Sequence, residues 1–472
     1  MAERSKRDEL QASLRRLPGV DKVLEMMLQD ETAKRLPASL LTDCARKAVS
    51  QVRERVLAGE REIPSALETI VQGGVKEALR AVKPRLRRVI NATGVVLHTN
   101  LGRAPLSETA LQLIQESASG YSNLEFDLQA GVRGSRYSLV VEKICRLTGA
   151  EDAVVVNNNA AAVMLLLAAM AKGKEVVVSR GELVEIGGSF RIPAVMEESG
   201  AKLLEVGTTN KTHLRDYEAA ISEETALLMK VHTSNYRIIG FTSQPEDADI
   251  VELGRRKAIP VVEDLGGGLL LPLALPGWQE PTVAEKIAAG FDLVTCSADK
   301  LMGAGQAGII AGKRQYIEKI KKHQLLRALR IDKLSLAALE GTLCDYLVGK
   351  EEKIPVLRML TATQETLANM QQQLAEELAP LEKKGWSIKK CEMSSMAGGG
   401  TLPEIEFASC GVAIIPPEAE AASVERHLRA WQIPIIVRVQ EGRLLVDVRS
   451  LFPADAAEIA AACAAWEAER KR

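Results

Sequence analysis

From about residue 140 the chain alternates short apolar runs with amphipathic stretches. Residues 153–156, 175–178, 202–206, 226–231, 260–262, 293–296 and 308–311 are mostly apolar and have the length of strands. Between most of them lie stretches of helical spacing, for example 160–172, 215–221 and 247–257. Runs that are apolar on both faces, separated by helices, predict an α/β fold with a mostly parallel sheet covered by helices on both sides. Beyond Lys313 the pattern predicts a helical stretch over 323–330 and one long helix over 355–379. Strand-like runs at 405–407, 412–415, 435–439 and 443–448, mixed with two helices, predict a small C-terminal α/β domain. Residues 1–80 have a different texture. Short amphipathic helices around 8–17, 20–28 and 37–57 are punctuated by Pro18-Gly19 and Gly59. A basic linker, Lys83-Pro-Arg-Leu-Arg-Arg88, leads into the next unit. The predicted domains are helical over 1–82, large α/β over 83–335 and smaller α/β over 336–472.

Composition sharpens this outline. A chain of 472 residues, 46% of them hydrophobic, buries a large core and exceeds one ordinary domain. A net charge of −1 excludes a polycation that grips nucleic acid by bulk attraction. The charge is unevenly placed, however. Residues 1–90 hold nineteen Lys and Arg against thirteen Asp and Glu, and the remainder is acidic. A basic appendage on an acidic body suits a polyanionic partner, although an ordinary solvated helical surface has the same signature. Seven scattered cysteines without a CxxC pair argue against a disulfide framework and a zinc site, and favour a reducing compartment. The first residues lack an apolar signal segment, and the apolar stretch 160–171 is too short to span a bilayer. The expectation is a cytoplasmic protein with no membrane contact and no metal.

Three strand ends carry chemistry. The first opens into Asn157-Asn158-Asn159-Ala160, where small and polar residues before a helix leave backbone N–H groups for an anion such as a phosphate; a plain Asn N-cap looks the same. The second ends in Glu263-Asp264 before Gly266-Gly267-Gly268, placing a carboxylate where open α/β sheets bind ligands. The third ends in Ser297-Ala-Asp299-Lys300 before a Gly-rich loop, a setting for an amine whose pKa is lowered by burial so that it can attack an aldehyde. Lys300 to hold the aldehyde, Asp264 to keep a pyridine nitrogen protonated, and Asn158, Asn159 and Ser297 around a phosphate together point to pyridoxal 5'-phosphate (PLP). His232 and Phe190 are weaker candidates beside such a ring, with core packing the stronger reading for both.

Longer stretches carry a resemblance. Leu17-Pro-Gly-Val-Asp21, Arg88-Val-Ile-Asn-Ala-Thr-Gly-Val-Val-Leu-His-Thr-Asn-Leu-Gly-Arg103, Tyr121-Ser-Asn-Leu-Glu-Phe-Asp127, Gly131-Val-Arg-Gly-Ser-Arg136, Glu182-Leu-Val-Glu-Ile-Gly-Gly-Ser-Phe-Arg-Ile-Pro193 and Ser297-Ala-Asp-Lys300 resemble the bacterial selenocysteine synthase family, the L-seryl-tRNA(Sec) selenium transferases. The resemblance implies PLP fold type I, a tRNA-binding N-terminal domain and a ring-shaped homodecamer. It further implies seryl-tRNA(Sec) and selenophosphate as substrates, Lys300 as the PLP lysine, Asp299 as its catalytic neighbour, and Arg103, Arg327 and Arg330 on the donor's phosphate. Arg327 and Arg330 stand three apart, so on one helix they share a face and repel unless an anion joins them; surface arginines partnered by Asp332 are the ordinary alternative. Arg133 and Arg136 are lesser anion candidates. Arg438 and Arg449 become carboxylate clamps only if the substrate is a free amino compound, as for a PLP lyase acting on an amino-sugar acid.

Overall fold

The computed structural model describes residues 10–59, 67–186, 190–274 and 278–470. The chain divides into two compact units, residues 1–88 and 89–472.

The first unit is helical, with α1 (Val20–Gln29), α2 (Ala38–Leu57) and α3 (Leu67–Val82). Val23 and Met27 of α1 pack with Leu41, Cys44, Ala45 and Ala48 of α2 and with Ile70, Val71 and Val75 of α3. A Cβ on Gly74 would lie 2.7 Å from the Met27 sulfur, so the missing side chain sets how closely α3 approaches α1.

The second unit is built on one seven-stranded sheet. Its strands are β1 (Asp152–Val156), β2 (Glu175–Ser179), β3 (Lys202–Val206), β4 (Thr225–Val231), β5 (Val261–Gly266), β6 (Leu293–Ser297) and β7 (Gly308–Gly312), in the order β1-β7-β6-β5-β4-β2-β3. All neighbours run parallel except β7, which is antiparallel to β6 and β1. Alternate side chains feed two cores. Val155, Val177, Leu228, Val261 and Val294 face one helical layer, and Val154, Val176, Met229, Val262 and Leu293 face the other. This two-sided burial is what the uninterrupted apolar runs predicted.

A second sheet follows, antiparallel, from β8 (Ser387–Gly398), β9 (Thr401–Ile415), β10 (Arg438–Gln440) and β11 (Arg443–Asp447) in the order β8-β9-β11-β10. Two expectations need correction here, and one strand was missed. The predicted helix over 355–379 is two helices, Pro355–Leu360 and Gln364–Leu378, because the Thr363 hydroxyl accepts the Thr366 N–H and starts a new helix. The runs at 405–407 and 412–415 belong to one strand, and Gly411 between them is no turn: a Cβ there would sit 2.1 Å from the Val446 carbonyl oxygen. Strand β8 went unread because much of it is exposed and polar.

Candidate active site

The site gathers at the C-terminal ends of β1, β5 and β6. Strand β6 delivers Ser297, Ala298, Asp299 and Lys300, and the Gly-rich loop returns the chain as antiparallel β7. Lys300 is 6% exposed, and its amine has neither a hydrogen bond nor an ion pair among the described residues. Burial pushes its pKa down, and the nearby Arg103 cation pushes the same way, while Asp264, Asp299 and Glu280 oppose both. A buried, unpaired amine with a depressed pKa is a nucleophile in waiting.

Asp264 lies close enough to Lys300 for the two charges to act on each other. Its Oδ1 accepts from Asn159 Nδ2 at 2.8 Å and from Thr295 Oγ1 at 2.9 Å. Burial raises its pKa against these hydrogen bonds, and no cation stands within ion-pair distance among the described residues. The other amide atom of Asn159, Oδ1, is buried without a partner. Asn158 is the N-cap of helix α4 (Asn159–Met170) and accepts the Ala161 N–H at 2.9 Å, which leaves the Asn159 and Ala160 N–H groups without an intrahelical partner. The same turn touches β7. A Cβ on Gly308 would lie 2.1 Å from the Asn158 carbonyl oxygen and 2.8 Å from the Asn159 nitrogen. Gly308→Ala is therefore expected to displace this turn and lower stability by about 1–3 kcal/mol, measurable as a fall in the denaturation midpoint.

The residues fit PLP. A buried carboxylate without an ion-pair partner, an orphaned amide oxygen beside it, a helix start with open N–H groups and an unpartnered lysine are what a pyridinium ring carrying an aldehyde and a phosphate would satisfy.

The arginines occupy two places. Arg103 NH1 reaches Asp299 Oδ2 at 2.7 Å, and Asp299 Oδ1 accepts from Ser297 Oγ at 2.8 Å. Ser297 thus turns toward Asp299. Arg327 and Arg330 line an open cavity of about 240 Å³ with Tyr137, Lys321, Lys322 and His323. They are not on one helix, since α5 spans only Leu325–Ala328 and Arg330 bridges to Val156 at the end of β1. Asp332 is not their partner. It caps the following helix, and Glu125 instead takes Arg330 at 3.2 Å, Arg136 at 2.5 Å and Arg133 at 3.3 Å. The hydrogen bond from Arg136 leads in holding the Glu125 carboxyl below its ordinary range.

The C-terminal arginines are committed elsewhere. Arg449 is buried and donates to the Met359 and Ala408 carbonyls at 2.7 and 2.8 Å, and Arg438 lies 3.5 Å from the buried Asp447. His232 donates its N–H to the Asp264 carbonyl, and its ring lies 3.3 Å from the buried Glu280. The Phe190 side chain lies outside the described residues. Sequence reasoning missed Thr295 and Glu280. A hydroxyl two residues before Ser297 on the same strand face was the available signal for Thr295; for Glu280 there was none.

Sheet order, antiparallel β7 and the facing Lys300 and Asp264 together define a PLP enzyme of fold type I. The solved structure of D-glucosaminate-6-phosphate ammonia-lyase has the same fold, with a TM-score of 0.55 and 23% identity over 82% of this chain and 97% of that one. A sequence profile described as L-seryl-tRNA selenium transferase matches residues 89–452, and one described as selenocysteine synthase N terminal matches residues 14–53. The chain is 47% identical to the L-seryl-tRNA(Sec) selenium transferase of Geobacter sulfurreducens, over 95% of this chain and 98% of the relative. It is 48% identical to that of Alkaliphilus metalliredigens, over 94% and 96%. The chain belongs to the L-seryl-tRNA selenium transferase family.

Proposed function

We propose that this chain converts seryl-tRNA(Sec) to selenocysteinyl-tRNA(Sec), replacing the serine β-hydroxyl with selenium from selenophosphate. The observation that carries the reading is the buried, unpartnered Lys300 amine near the buried Asp264, which has no ion-pair partner among the described residues, in a chain matched along nearly its whole length by selenium transferases. Bound at Lys300, PLP supplies an electron-accepting ring that stabilises negative charge at the serine α-carbon. The Asp264 carboxylate, held in place by Asn159 and Thr295, would keep a proton on the ring nitrogen. The start of α4, capped by Asn158, would receive the cofactor's phosphate, while the Ser297 hydroxyl is held by Asp299. The Lys300 Nζ would take the α-proton, burial favouring the neutral amine that can accept it. Asp299 adds its charge to the field at this amine. Arg103, Arg327 and Arg330 take the donor's phosphate, guanidinium forks being suited to its oxygens.

The serine carboxylate is esterified to tRNA and needs no arginine clamp. The engagement of Arg449 by main-chain carbonyls suits that substrate better than a free amino compound. Residues 1–82 serve as the tRNA-binding domain, ahead of a cofactor domain over 83–335 and a C-terminal domain over 336–472. The protein works in the cytoplasm as a homo-oligomer, a ring-shaped decamer; the exposed Tyr121, Phe126, Leu128 and Val132 support further association of chains. No helix among the described residues is long and apolar enough to cross a membrane.

Purified protein given seryl-tRNA(Sec) and selenophosphate is expected to form selenocysteinyl-tRNA(Sec). Removing residues 1–82 is expected to lower kcat/KM for the tRNA substrate on the order of 100-fold, equal to about 2.7 kcal/mol, while the cofactor stays bound. Full activity of the truncated chain would refute the role given to that segment.

A further inference from the structure

We infer that Ser297, Asp299 and Arg103 form one positioning relay, in which Asp299 grips a single nitrogen of Arg103 and turns the rest of the guanidinium toward the phosphate oxygens of the selenium donor. The inference rests on the donor assignment above and gives Asp299 a different task from acid–base chemistry: it acts through Arg103.

The geometry carries the relay. Asp299 is engaged at both oxygens, Oδ1 by the Ser297 hydroxyl at 2.8 Å and Oδ2 by Arg103 NH1 at 2.7 Å. Ser297 is the last residue of the buried strand β6, so the carboxylate is braced against the sheet. A guanidinium has five N–H donors, and this contact uses one nitrogen. The Arg103 side chain remains 27% exposed against 10% for Asp299, and its Nε and NH2 make no hydrogen bond among the described residues, which leaves them available to an anion. The backbone adds a second mark. Gly102 and Arg103 are consecutive left-handed residues, with φ of 93° and 61°. That conformation is disfavoured for a residue with a Cβ, and it persists where surrounding contacts over-determine it, typically at ligand clamps. A braced carboxylate and a constrained loop both remove rotamer freedom from Arg103 before the anion arrives, and preorganisation of this kind appears as affinity. Arg103 also lies close enough to Lys300 to depress the pKa of the amine, so an anion on its outer edge is delivered beside the reacting centre.

The test is steady-state kinetics of the holoenzyme with seryl-tRNA(Sec), selenophosphate varied, and inorganic phosphate as a competitor. Asp299→Asn keeps the shape and loses the charge that grips Arg103. It is expected to raise the KM for selenophosphate and the inhibition constant of phosphate together, by about tenfold, with the loss concentrated in KM rather than kcat. Ser297→Ala, which only loosens the brace, is expected to raise both about threefold. Arg103→Lys combined with Asp299→Asn should be no worse than Arg103→Lys alone, because a broken fork leaves nothing to orient. A drop in kcat with the donor KM and the phosphate constant unchanged in Asp299→Asn overturns the relay. If that variant does not fold, Ser297→Ala decides by the same readouts. Wild-type enzyme whose rate shows no saturable dependence on selenophosphate would instead overturn the donor assignment on which the relay rests.

Discussion

Lys300→Ala is expected to lose the visible absorbance of the lysine-bound cofactor and to lower kcat/KM by about 10³-fold or more. The size follows from two roles removed at once, since a positioned base alone contributes roughly 10²–10⁴-fold and the covalent anchor is lost as well. The fold should survive. Lys300 makes no hydrogen bond or ion pair among the described residues, and its burial disfavours the charged form, so a small apolar side chain removes a desolvation penalty rather than a partner. Absorbance spectra, activity and thermal unfolding of the same preparation check the three parts of this expectation. Retained absorbance with retained activity would place the anchor elsewhere.

Asp264→Asn is expected to separate activity from stability. Loss of the carboxylate that holds a proton on the ring nitrogen should lower kcat about 10²–10³-fold, some 2.7–4 kcal/mol, the size seen when one preorganised electrostatic partner is removed. Without cofactor the effect on stability has the other sign. Burial raises the Asp264 pKa in the folded chain, so the folded state holds its proton more tightly than the unfolded state does. Both states are protonated at low pH. As pH rises through the unfolded and then the raised folded pKa, the buried group must ionise against a desolvation cost that its hydrogen bonds and Lys300 do not offset, and wild-type apoprotein loses stability. Asn carries no such charge. The variant apoprotein should therefore show a flatter decline of unfolding temperature with pH, while PLP should protect it less than it protects wild type. A variant that bound PLP as tightly and turned over as fast as wild type would remove Asp264 from the site.

Much of the central sheet was legible because strands buried on both faces leave uninterrupted apolar runs, and all seven lie within a few residues of their predicted places, although edge strand β3 exposes Lys202 and Glu205. Lys300 and Asp264 were legible for a related reason: a charged residue at the end of such a run has no structural purpose in the core. Pairings across long separations were not. Arg103 and Asp299 meet over 196 residues, and Asn159 reaches Asp264 over 105, distances at which a sequence shows two residue types and no contact. The ordinary reading of Asn158 as an N-cap was right about its side chain, yet the helix start it creates is also the feature that suits a phosphate. The partner of Arg330 was misjudged in the same way, because nearby Asp332 was drawn into capping and the distant Glu125 took its place. The long helix over 355–379 failed for a local reason, since Thr363 offers the backbone a cap that apolar spacing does not register.

The most direct measurement is to reduce the holoenzyme with borohydride, digest it and locate the pyridoxyl label by mass spectrometry. The label is expected on the peptide containing Lys300 and absent from Lys300→Ala. A label on any other lysine, or none on wild-type protein that has bound PLP, would contradict the account at its base.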